Sequence, residues 1–113
     1  MFFNKRKRFN AEVSALLPGF GFNLQQAGVF KVLNVLDAAW SNGFNKYEAG
    51  LMAAYLYVAG LYEHAQDEEA ENTIKRIDLI QADWLQKGIV GSDNVSEFRK
   101  NAEGIWAKVK RAR

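Results

Sequence analysis

The residues in this chain best suited to chemistry gather around its single histidine. His64 is followed by Asp67, Glu68 and Glu71. If one helix carries all four, spacings of three, four and seven place them on one face. An imidazole beside carboxylates is a candidate divalent-metal site. The same residues also read as the solvated, acidic start of a new helix with a surface histidine next to it, and that reading is preferred. A di-iron bundle requires Glu-x-x-His on two helices, which one histidine cannot supply. No metal and no cofactor is therefore expected.

Other catalytic arrangements have less to build from. Ser14, Ser41, Ser92 and Ser96 lie in no Gly-x-Ser-x-Gly elbow, and the chain has no cysteine. Glu68, Glu69 and Glu71 form a solvated cluster without the apolar shielding that raises a carboxyl pKa. Neither a phosphate-binding glycine loop nor a dinucleotide fingerprint is present. The expectation is a protein that is not an enzyme.

Charge offers a second candidate. Lys5, Arg6, Lys7 and Arg8 stand near one end, and Lys108, Lys110, Arg111 and Arg113 at the other. Setting those eight aside leaves seven basic residues against thirteen acids, so residues 9–107 carry −6 although the whole chain carries +2. Phe2, Phe3 and Phe9 flank the first cluster, a pattern that suits phosphate contact with base stacking, or an anionic membrane surface. The plainer reading is a solubilising terminus whose Phe9 packs on the body. Were the first and last helices to lie side by side, the clusters would merge into one patch.

The elements that must position these groups are helical. Asn45–Tyr62, NKYEAGLMAAYLYVAGLY, holds all four tyrosines and runs without a charge after Glu48. Asn45 with Glu48 has the spacing of a capping box. Fourteen uncharged residues in helix extend roughly 21 Å, short of the length that spans a bilayer. A helix apolar on all sides is surrounded by others, and the small residues Ala49, Gly50, Ala53 and Ala54 let one approach closely. Tyr55, Tyr57 and Tyr62 read as core residues rather than the lining of a ligand pocket.

Around it, Phe9, Val13, Leu16 and Leu17 mark an amphipathic first helix stopped by Pro18, with PGFGF a flexible turn. Asn23 and Gln26 repeat the capping-box spacing and open a second helix to about Trp40, with Lys31, Asn34, Asp37 and Ser41 on its solvent stripe. Ser41-Asn42-Gly43 stops it and makes an antiparallel hairpin with the central helix. That helix either breaks at Gly60 or continues to about Ala65. A fourth carries Ile74, Ile77, Ile80 (or Gln81), Trp84 and Leu85 on one face and ends at Gly88. Ile89 and Val90 plug a core edge. Asn94 and Glu97 show the capping spacing again and start a last helix with Val95, Phe98, Ala102, Ile105, Trp106 and Val109 inward.

Tyr57-x-x-Gly60-x-Tyr62-x-x-Ala65 resembles the turn of a tetratricopeptide repeat. Glu69 and Asn72 fall where that repeat wants apolar and small residues, and no second copy follows at its period, so nothing is carried over.

The expected architecture is thus a single all-α domain, residues 1–113: a five-helix bundle around the apolar helix at about 45–62, with basic termini (1–8 and 108–113) that need not be ordered. No transmembrane segment is expected, and the missing apolar run after the basic start argues for a cytoplasmic protein. Three tryptophans and eight phenylalanines in 113 residues are more aromatic surface than five short helices easily hide. The functional expectation is a non-catalytic protein-interaction module, a homo-oligomer or the binder of a protein partner. The alternatives are sequence-nonspecific nucleic-acid binding through the basic ends and a metal or small-ligand site at His64.

Overall fold

The computed structural model describes the backbone of residues 2–21 and 29–113 and the side chains of residues 5–21 and 34–113. Its elements are α1 (Phe2–Leu16), a short 3-10 turn (Leu17–Phe20), α2 (Val29–Ser41), α3 (Lys46–Glu63), α4 (Asp67–Gln86) and α5 (Ser92–Ala112), with no strand among the described residues. The helix count and the central role of residues 45–62 are as expected. No described helix is long and apolar enough to cross a membrane.

Eleven of the eighteen residues of α3 are buried, and α1, α2, α4 and α5 all pack on it. The Asn45–Glu48 capping box forms in both directions: Glu48 N–H donates to Asn45 Oδ1 at 2.9 Å, and Asn45 N–H donates to Glu48 Oε1 at 3.1 Å. Ala49 meets Val13 of α1 and Leu36 and Ala39 of α2, the close approach that the small side chains allow. Gly60 does not break the helix. It continues to Glu63, and the reversal is made by Ala65, whose φ of 56° is left-handed. A non-glycine residue there costs about 1–2 kcal/mol, so tertiary packing must hold this corner.

Two local expectations are corrected. Pro18–Gly21 of PGFGF are not a loose turn: Leu17–Phe20 form a 3-10 turn closed by Gly21, and Phe20 is fully buried, edge-on to Trp84 with ring centres 5.8 Å apart, while Phe22 lies outside the described residues. Nor does Asn94 cap α5, which begins at Ser92. The cap of α5 is Gly91, three residues ahead of the expected one, so Asn94 already lies in the first turn, where its amide NH2 donates to Glu48 Oε2 at 2.9 Å beside Gly91 N–H at 3.0 Å. Asn45 adds a bond from its amide to Ile89 O at 2.9 Å. The expected Asn23–Gln26 box lies outside the described residues.

α4 presents Ile74, Ile77, Ile80, Trp84 and Leu85 to the core as its periodicity requires, and Gly88 closes it at φ 70°. Val90 is buried and Ile89 packs beside it. On α5, Val95, Phe98, Ala102 and Trp106 are buried, while Ile105 remains 38% exposed.

Candidate functional site on the flanks of the last helix

α5 meets the rest of the bundle along two unlike flanks. Toward α4, Trp106 lies between Tyr55 and Tyr62 of α3, with ring centres 6.2 and 6.3 Å away, and its indole N–H donates to Tyr55 O at 2.9 Å. Arg99, two turns earlier, places its guanidinium 5.1 Å from the Trp106 ring centre and 5.7 Å from that of Tyr55. The same guanidinium grips Asp78 of α4 through two bonds of 3.1 Å and holds Glu103 at 2.7 Å. Tyr55 is buried, and its hydroxyl lies 2.8 Å from Asp78 Oδ1 and 3.2 Å from Gln81 Oε1. A phenol has one proton, so it donates to Asp78; Gln81 completes the cluster when its amide NH2 faces the phenol oxygen.

Burial, and then the Asp78 carboxylate, push the Tyr55 phenol well above its ordinary range, an effect Arg99 only partly offsets. It is therefore a fixed donor and no base at neutral pH. At the far end of the seam Arg113 forms two 2.6 Å bonds to Asp67 and one of 2.9 Å to Tyr62 O, while Lys110 stands 4.6 Å over the Tyr62 ring centre. The bond from Arg113 holds the Asp67 carboxyl below the usual carboxylate range. Every polar group named in this seam is committed to another, which makes it a joint rather than a reactive centre.

The opposite flank is apolar and open. Ile105 and Val109 of α5 face Asn34, Val35 and Ala38 of α2 across Met52, Leu56, Ala59 and Glu63 of α3, enclosing a cavity of about 420 Å³. That volume lies within the range of pockets that take a small molecule or a few protein side chains. Asn34 and Glu63 supply its polar atoms; the other seven lining residues are apolar.

The remaining candidates are scattered by the fold. Because Ala65 reverses the chain, His64 does not share a helix with Asp67, Glu68 and Glu71, and the one-face geometry required for a metal fails. Asp67 is engaged by Arg113, and His64, Glu68 and Glu71 are exposed. Among the described residues no group of three His, Cys, Asp or Glu side chains gathers in metal-binding proximity. Of the basic ends, residues 5–8 belong to α1 and residues 108–112 to α5. Arg6 pairs with Asp37 of α2, and Arg8 with Glu12 at 3.6 Å; Lys5 and Lys7 are exposed, as are Lys108 and Arg111. α1 and α5 each pack along α3 rather than along one another, so the condition for a merged patch is not met.

Sequence reasoning passed over Asp78, Gln81 and Arg99. A signal existed: Tyr55 and Tyr62 are seven apart on one helix, and Arg99 and Trp106 are seven apart on another. Matching two-turn spacings is what a seam between two helices requires. Comparison with protein-family models, curated proteins and solved structures finds no match to this chain.

Proposed function

We propose that the protein is a non-catalytic helical interaction module that self-associates through the cavity between α2 and α5. The supporting observation is the open apolar wall of Met52, Leu56, Ile105 and Val109, with Ile105 over a third exposed. An exposed apolar recess on a small bundle has a standing free-energy gain from being covered. The seam, with its polar groups already paired, offers no comparable gain. A chain without cysteine is at ease in the reducing cytoplasm, where we place it.

Light scattering coupled to gel filtration tests this reading. The wild-type protein is expected to exceed the monomer mass at tens of micromolar, and Ile105→Asp to return it to monomer without loss of helix content. A wild type that stays strictly monomeric over that range, or an Ile105→Asp variant with unchanged mass, overturns it.

A further inference from the structure

The outward face of α5 belongs to neither flank. Lys100, Gly104, Lys108 and Arg111 follow at spacings of four, four and three, and at 3.6 residues per turn they fall within an arc of about 80°. All four are exposed, on the side of α5 away from the buried Val95, Phe98, Ala102 and Trp106. Arg99 and Arg113 are held by Asp78 and Asp67. Among the described residues Lys100, Lys108 and Arg111 enter no ion pair, so their charge is available to a partner. Of the acids nearby, Glu103 is drawn to Arg99, while Asp93 and Glu97 lie on the same arc seven and three residues before Lys100, so the face is acidic at its start and basic from Lys100 to Arg111.

Gly104 is the second observation. A Cβ built there meets nothing within 4 Å, so no neighbour in the fold demands glycine. Glycine is nevertheless the least stable choice after proline in a helix interior. What it leaves is bare backbone between two lysines, each about 6 Å away along the axis. A chain of phosphates can settle closely into that gap.

We propose that this face of α5 binds the phosphodiester backbone of a nucleic acid, with Lys100, Lys108 and Arg111 on phosphates and Gly104 as the point of closest approach. Contacts confined to phosphates position a strand without reading its sequence. An anionic membrane is the poorer fit, because the large apolar residues of α5 lie in the core or, like Ile105, on the open flank, leaving none on this face to enter the headgroup layer.

Fluorescence anisotropy with a short labelled DNA duplex tests the proposal. At low salt the wild type binds, and a log–log slope against salt of about −2 to −3 is expected for three phosphate contacts. Replacing Lys100, Lys108 and Arg111 with Gln weakens binding at least ~tenfold at low salt. Gly104→Glu, which keeps the cations but fills the gap with an acid, weakens binding while circular dichroism stays unchanged. Gly104→Ala raises the melting temperature, as expected at a site where the fold has no use for glycine. Lys5→Gln with Lys7→Gln leaves binding within ~twofold, since those residues lie outside the face. The proposal is overturned if the wild type does not bind at low salt, if the triple variant binds as tightly as wild type, or if phosphatidylserine vesicles capture the protein at a salt concentration where the duplex does not.

Discussion

The two flanks of α5 show how one helix can be joined to a bundle by opposite means. Against α4 it is held by Arg99–Asp78, Arg113–Asp67 and rings stacked beneath cations. Against α2 it offers aliphatic side chains that stop short of closing, leaving the cavity of about 420 Å³. Directional bonds set the position of α5 along α4, because a guanidinium and a carboxylate meet well in few geometries. Apolar contact carries no such register. A helix pinned on one side can therefore keep an unfilled recess on the other, and the recess need contribute little to holding the fold.

Three measurements can break or sharpen this contrast. The largest effect is expected from Asp78→Ala, which takes the shared acceptor from both the Arg99 guanidinium and the Tyr55 hydroxyl and leaves them only Glu103 and Gln81. Both members of the ion pair are partly exposed, so solvent moderates the loss, and about 2 kcal/mol in urea unfolding is expected. Adding Tyr55→Phe should cost less in the Asp78→Ala background than in wild type, because the hydroxyl has there already lost its Asp78 acceptor. Equal costs in the two backgrounds would deny the coupling.

Next comes Glu48→Gln, expected to cost about 1 kcal/mol at neutral pH because hydrogen bonds to a carboxylate are weakened. Burial alone would push the Glu48 carboxyl up, but bonds from Asn94, Gly91 N–H and Asn45 N–H together hold it below the ordinary range. The native value is thus depressed, and the associated stability is present in full above the unfolded glutamate range. It fades as pH falls through the native value. The gap between wild type and Glu48→Gln should narrow in acid unfolding curves, and a gap constant with pH would contradict the assignment.

The smallest effect belongs to the open flank. Ile105→Ser should change monomer stability by less than about 1 kcal/mol, since the side chain is already over a third exposed. A loss as large as that of Asp78→Ala would mean that the recess is part of the core and the contrast is false.

What could be read in advance follows the range of each interaction. The Asn45–Glu48 box spans three residues and forms as its spacing implies. Asn94–Glu97 has the same spacing and fails, because α5 begins earlier, at Ser92, in a loop anchored by bonds from Gly91 and Asn94 to Glu48, the latter 46 residues away. The inward face of α4 was legible from periodicity, yet Gln81 proved to be a partner of Tyr55 rather than a substitute for Ile80. Phe20 was hidden for a different reason: two glycines and a proline suggested a loose segment, whereas the aromatic between them fills the core. The His64 cluster depended on a helix continuing through Ala65, and no local pattern marks an alanine that will turn left-handed.

Glu48 also bears on the order in which the chain folds. Its first oxygen can be occupied as soon as α3 forms, by a partner three residues away. The second is not satisfied until Gly91 and Asn94 arrive, more than forty residues later. A helix that caps itself locally but buries its carboxylate only after the last helix has docked contains a checkpoint on its own assembly. Contacts so distant in sequence form late. The start of the central helix is therefore written early in folding and completed near its end.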